Sequence, residues 1–67
     1  MNDKALNAAI DQFLRHVNFT ARNEIEKGVR AALANGKLNG RESVSAAVAV
    51  SSDQIGLNVT IYSKIAL

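Results

Sequence analysis

The sequence predicts a small α+β domain in which a two-helix hairpin is followed by an antiparallel β-hairpin (ααββ). Apolar residues recur at helical spacing up to Gly36 and at alternate positions from Val44 onwards. A chain of 67 residues without Cys or Pro forms one domain at most, 1–67, with a thin hydrophobic core. Charge divides along the same line, since residues 44–67 carry only Lys64 and Asp53.

The first predicted helix runs from about Asp3 to Val17. Asn2 or Asp3 can cap its start, and Asp11 with Arg15 forms an i, i+4 pair. One face collects the apolar side chains, as an amphipathic helix requires: Leu6, Ile10, Phe13, Leu14 and Val17.

A second helix is predicted after a turn at Asn18 and Phe19. Thr20 is a favourable N-cap residue, and a glycine such as Gly36 commonly follows a helix end in the left-handed conformation. Gly28 lies in the middle of this helix, where it costs about 1 kcal/mol relative to Ala or permits close approach of another element. The apolar stripe of this helix comprises Ile25, Val29, Ala32 and Leu33.

Two strands are predicted from the alternation of apolar residues in Val44–Val50 and Leu57–Leu67. Residues 52–56 fit a hairpin loop of about four residues, with Gly56 in a left-handed conformation. Both apolar sets share a face only if paired residue numbers sum to an odd value. The register favoured here places Val50 opposite Leu57, which leaves Ile65 and Leu67 as an apolar overhang.

One face of this hairpin is expected to cover the helices. The predicted core is Ile10, Phe13, Leu14, Val17, Ile25, Val29, Leu33, Val48, Val50, Val59 and Ile61. The other face is small and weakly polar, so it favours contact with another layer. The predicted interaction surface is Ala47, Ala49, Thr60 and Tyr62, together with Ile65 and Leu67. A homodimer would join two hairpins into a four-stranded sheet or stack them face to face, whereas in a monomer the helices would shield the sheet.

The sequence contains no pattern typical of catalysis or of a bound cofactor. His16 has no second His and no Cys beside it, and the acidic residues are scattered. The serines have no base placed near them by a recognisable motif. We therefore expect a non-catalytic protein without metal, cofactor or small-molecule substrate. The chain also begins without a secretory signal and has no run of about 18 apolar residues, so we expect a cytoplasmic protein with no membrane contact.

Nucleic-acid binding is the alternative function that the sequence leaves open. Two helices followed by a hairpin are similar to helix-turn-helix proteins with a wing. The candidate contacts are the basic residues of the second helix and the following loop: Arg22, Lys27, Arg30, Lys37 and Arg41. Glu26 lies between Arg22 and Arg30, where it would repel phosphate. The prediction that we prefer is a protein-interaction or assembly module that associates with itself or with another protein.

The order of residues in several segments resembles a family of short bacterial proteins of unknown function. The resemblance covers nearly the whole chain and rests on Asn23-Glu24-Ile25-Glu26-Lys27-Gly28-Val29-Arg30-Ala31-Ala32-Leu33, on Gly36-Lys37-Leu38 and on the closing Gly56-Leu57 strand. Gly28 departs from the family pattern, where a helix former is expected. The resemblance implies a shared fold and no catalytic or ligand-binding residues.

Overall fold

The computed structural model describes residues 1–67 as two compact units, Met1–Lys37 and Leu38–Leu67. The first unit consists of one α-helix, α1, which spans Asp3–Ala34. The second unit is an antiparallel hairpin of β1, Ser43–Ser52, and β2, Leu57–Ala66. A single turn of 3-10 helix, Asp53–Ile55, joins the two strands. The α+β class predicted from the sequence is therefore confirmed, whereas the number of helices is not.

Both ends of α1 follow from capping residues. Asn2 is extended, and its side-chain Oδ1 accepts hydrogen bonds from the backbone N–H groups of Lys4 at 2.9 Å and Ala5 at 3.3 Å. These bonds satisfy N–H groups that have no partner within the helix. At the other end Gly36 has φ +84°, the left-handed conformation predicted for it.

The predicted turn at Asn18 and Phe19 was wrong, because α1 continues through these residues without interruption. Asn18, Phe19 and Thr20 each cost at most about 0.7 kcal/mol relative to Ala in a helix. A break would instead leave two new helix ends with unpaired backbone groups. With neither Pro nor Gly at this point, the N-capping preference of Thr20 is not strong enough to end the helix.

One face of the continuous helix combines residues of both predicted apolar stripes with Ala21 and Gly28, but it does not include Phe13, Val29 or Leu33. Its members follow one another at intervals of three or four residues, in the order 4, 4, 3: Leu6, Ile10, Leu14, Val17, Ala21, Ile25, Gly28 and Ala32. We call these eight residues the helix stripe. Ile10, Ala21 and Ala32 are each eleven residues apart, a repeat of 3.67 residues per turn that stays close to the 3.6 of a straight helix.

The hairpin loop has the predicted length and conformation. The 3-10 turn is followed by Gly56, whose φ of 63° and ψ of 28° are left-handed, and the Gly56 N–H donates to the Asp53 carbonyl oxygen at 3.4 Å. Gly56 reverses the chain at little steric cost because it lacks a Cβ. Strand pairing therefore begins at once, with Ser52 opposite Leu57.

The predicted register was wrong by two residues, although the numbers of paired residues sum to an odd value, as predicted. Val50 lies opposite Val59, and Val44 lies opposite Ile65, because the four-residue loop lets the strands pair up to its edge. The predicted apolar overhang does not exist: Ile65 is paired within the sheet, and the Leu67 N–H donates to the Glu42 carbonyl oxygen at 3.1 Å.

The two faces of the hairpin contain the residues that the alternation predicted. We call one the valine face, which is made of Val44, Ala46, Val48, Val50, Ser52, Leu57, Val59, Ile61, Ser63 and Ile65. The other is the alanine face, which is made of Ser43, Ser45, Ala47, Ala49, Ser51, Asn58, Thr60, Tyr62, Lys64 and Ala66. A residue moves to the opposite face only if the register shifts by an odd number, so the two-residue error left both faces unchanged.

The loop before β1 is held by the carboxylate of Glu42. Its Oε1 accepts hydrogen bonds from the backbone N–H groups of Asn39 at 3.0 Å, Gly40 at 2.9 Å and Arg41 at 3.2 Å. Hydrogen bonds from its own N–H and from those three lower the pKa of Glu42 below its ordinary value of 4.5, against a smaller rise from desolvation.

Acidification is expected to loosen this loop. Because the pKa of Glu42 is lower in the folded hairpin than in the unfolded chain, its stabilising effect is complete above pH 4.5 and is lost as the pH falls through the lowered value. Hydrogen exchange of the Asn39, Gly40 and Arg41 amides should accelerate, relative to the strand amides, in the Glu42→Gln variant at neutral pH. Equal protection in the variant and the wild type would contradict this role.

No side chain in the structure is fully buried. The residues of the predicted core are half-buried at best, for example Val17, Val29 and Val48, and several are exposed, such as Phe13 at 54% and Ile61 at 57%. Neither unit therefore buries the predicted core residues by itself. The physical reason is that a lone helix and a two-stranded sheet each form a single layer, and a layer buries its apolar face only against another.

Candidate functional site

The alanine face brings together four of the six residues predicted for the interaction surface. Ala47 lies opposite Tyr62, and Ala49 lies opposite Thr60. All four are exposed, and the Tyr62 side chain is 78% accessible. Small side chains around one exposed aromatic ring leave the backbone of this surface open to close contact.

The other two predicted residues lie elsewhere. Ile65 belongs to the valine face, where it is half-buried opposite Val44. Leu67 directly follows Ala66, the last residue of β2, and is 38% exposed. They therefore extend the apolar surface on the valine side of the sheet, which also carries Val59 at 44% and Ile61 at 57% exposure.

Both long edges of the hairpin are open, because the sheet contains only β1 and β2. β1 is ten residues long and has no charged residue, no Pro and no bulge. β2 carries Lys64, the kind of residue that protects a strand edge from pairing with another chain. The β1 edge is thus less protected from pairing with another chain than the β2 edge. This difference was not predicted from the sequence.

The helix stripe is a third exposed apolar surface. Its large side chains remain accessible to solvent, including Leu6 at 40%, Ile10 at 45% and Leu14 at 51%. Most stability of a helix in a protein comes from packing such a face. Sequence reasoning divided this stripe at Asn18, although the spacing from Val17 through Ala21 to Ile25 showed that it continues.

The basic residues proposed for nucleic-acid contact are not equally available. Arg30 donates to Oε1 of Glu26 from Nε at 3.0 Å and from a terminal guanidinium nitrogen at 2.9 Å, and this is the only ion pair in the structure. Arg22 and Lys27 on α1, and Lys37 and Arg41 beyond it, form no ion pair. Arg15 donates to the backbone oxygen of Asp11 at 3.4 Å instead of pairing with its carboxylate.

The structure shows no cluster of side chains that could hold a metal ion. No group of three or more His, Asp or Glu side chains comes together. The concave surfaces on α1 are depressions between successive turns, such as the one lined by Asn18, Ala21, Arg22, Ile25 and Glu26.

Comparison with known proteins supplies a family for the chain and no activity. No helix of the structure combines the length and apolar character that crossing a membrane requires. No curated protein and no solved structure matches the chain. A family model described as "Family of unknown function (DUF6494)" matches residues 1–67. The whole chain therefore belongs to this family of unknown function.

Proposed function

We propose that this protein is an assembly module that associates with a second copy of itself through its β-hairpin. The observation that carries the proposal is the complete absence of buried side chains in a chain that is 48% apolar. Burial of apolar surface is the main favourable contribution to folding. Association supplies the burial that one copy lacks.

The exposed area is large enough for a stable interface. The chain exposes 5929 Å², which includes the accessible large apolar side chains of the helix stripe and of the valine face. Each partner contributes roughly 800 Å² to a standard protein interface.

The β1 edge is where we place the contact between hairpins. Pairing of β1 with β1 of a second copy across a two-fold axis produces a four-stranded sheet, in which only the two β2 edges remain open. Three or more strands with an apolar face can be stable, whereas one hairpin alone is marginal. Ala47 and Ala49 then lie near the middle of the enlarged sheet.

Substitution of Ala49 with Arg tests this interface. The substitution places a charge on β1, where the two introduced guanidinium groups, one from each copy, lie close together and repel, so we expect the mass measured by light scattering to fall towards that of one chain. Thr60→Arg is the matched control, because Thr60 lies directly opposite Ala49 on the same face but on β2. An unchanged mass in both variants would overturn the proposal, and a reduced mass in both would move the contact from the edge to the alanine face.

Binding of nucleic acid is the second candidate, supported by the unpaired Arg22, Lys27, Lys37 and Arg41. A protein that neutralises phosphates with such residues binds with steep salt dependence. The ion pair between Glu26 and Arg30 weighs against it, because the acidic partner lies on the same helix face. Retention of labelled DNA or RNA in a low-salt filter-binding assay, lost in Arg22→Ala and Lys27→Ala, would support this function. Absence of retention at low salt would dismiss it.

A further inference from the structure

We infer that the helix stripe is covered by the same stripe of a second copy, with the two α1 helices antiparallel and centred on Ala21. This inference rests on the proposed self-association and adds a second contact to it, between helices. The occupant is argued from the sizes of the side chains along the stripe and from the area that the chain leaves exposed.

The two halves of the helix stripe differ in size. Large side chains occupy its N-terminal half, at Leu6, Ile10, Leu14 and Val17, whereas its C-terminal half is mostly small, with Ala21, Gly28 and Ala32 around Ile25. Protein interiors are close-packed, so a stripe of this kind fits best where large residues of one helix face small residues of the other.

An antiparallel pair centred on Ala21 brings the stripe residues from 10 to 32 opposite one another and provides this match at the outer positions. Counting outward from Ala21, Val17 faces Ile25 of the second copy, Leu14 faces Gly28, and Ile10 faces Ala32. From residue 10 to residue 32 the intervals between stripe residues are 4, 3, 4, 4, 3 and 4, an order that is the same from either end. The stripe therefore stays in register with its reversed copy over six turns.

A parallel pair would place Leu14 against Leu14 and Gly28 against Gly28. The second contact would leave a void, because glycine has no side chain and no other group of its own chain lies within 4 Å of the place where a Cβ of Gly28 would be. Voids lined by side chains lose packing contacts. In the antiparallel pair the side chain of Leu14 fills that space, which gives the mid-helix glycine a packing role.

Cysteine cross-linking distinguishes these arrangements, because the chain contains no native cysteine. Packed helices lie about 8–10 Å apart, which brings facing Cα atoms into the range of a disulfide bond. Ala21→Cys should form a disulfide-linked dimer on mild oxidation. Ile10→Cys mixed with Ala32→Cys should form a mixed dimer in at least fivefold excess over either protein linked to itself. Ala8→Cys, on the polar face of α1, is the control and should not cross-link.

Exchange of a large and a small residue provides a second measurement. Gly28→Leu adds a side chain where Leu14 of the second copy lies, so we expect at least a tenfold weaker dimer, although leucine favours the helix. Combining Gly28→Leu with Leu14→Ala restores a large residue opposite a small one and should recover most of the affinity. Circular dichroism of each variant shows whether α1 still forms.

The outcomes separate this inference from the proposed function. A monomeric wild type by light scattering would overturn both. A wild-type dimer that is sensitive to Ala49→Arg, but in which Ile10→Cys links to itself more readily than to Ala32→Cys, would overturn the antiparallel helix pair alone. Full affinity in Gly28→Leu would do the same, because the second copy would then not lie over Gly28.

Discussion

Replacing Ala21 with proline is expected to destabilise α1 by about 3 kcal/mol or more. Proline removes a backbone N–H and clashes with the carbonyl of the preceding turn, and Ala21 lies in the middle of a continuous helix. In a two-helix hairpin the same residue would be the first of the second helix, where proline is favourable. Loss of helical signal in circular dichroism, with a lower midpoint of thermal unfolding, is the result that one continuous helix requires.

The matched control is proline at the true first position of α1. Asp3 follows the N-cap Asn2, so Asp3→Pro should leave the helical signal nearly unchanged. If Ala21→Pro were tolerated as well as Asp3→Pro, the chain would contain a helix boundary at Thr20 and the single 32-residue helix would be wrong.

Replacing Leu14 with aspartate should produce the second large effect. Burial of one leucine side chain contributes about 1.5–3 kcal/mol, and a symmetric dimer buries it twice. The dissociation constant should therefore rise about a hundredfold or more, and the helix content should fall with association, because α1 depends on packing of its apolar face. Sedimentation velocity and circular dichroism over a range of concentrations measure the two effects together.

Gln12→Asp provides the control for charge alone. Gln12 lies on the face of α1 opposite the helix stripe, two residues from Leu14, and receives the same side chain. Its dissociation constant should stay within about fivefold of wild type, because substitutions at exposed positions usually change stability by about 0.5 kcal/mol or less and a dimer carries the change twice. Equal weakening in both variants would show that the negative charge of α1, and not its apolar stripe, governs association.

The number of helices could not be predicted from local preferences alone. Asn18 and Thr20 are typical of turns and caps, and these preferences favoured a break. The free energy of each preference is only a fraction of the cost of forming two new helix ends. The periodicity was the better guide, because Val17, Ala21 and Ile25 keep the same phase across the predicted turn. Dividing the stripe in two concealed the pattern that shows one helix.

The hairpin was predicted more completely because strand alternation is a strict rule. The side chains of Val48 and Ile61 must lie on one face, and those of Ala49 and Thr60 on the other, in any register in which the numbers of paired residues sum to an odd value. The register itself depends on the loop geometry. The 3-10 turn that ends at Gly56 uses four residues, and the alternation of the strands contains no information about that number.

The candidate surface was found in part for the same reason. Ala47, Ala49, Thr60 and Tyr62 share a face because alternation places them there, and Ile65 was assigned elsewhere by the error in register. The difference between the edges of β1 and β2 became visible only once the strand limits were known. Composition and spacing also do not specify the partner that we propose for the exposed apolar surfaces of this chain.

Light scattering at a series of protein concentrations tests the central claim most directly. Association predicts a mass of twice 7.2 kDa, or a higher whole multiple, which falls to 7.2 kDa on dilution together with the helical signal. A constant mass of 7.2 kDa at all concentrations, with full helix content and cooperative unfolding, would show that one copy buries its own apolar surface. That result would contradict the account.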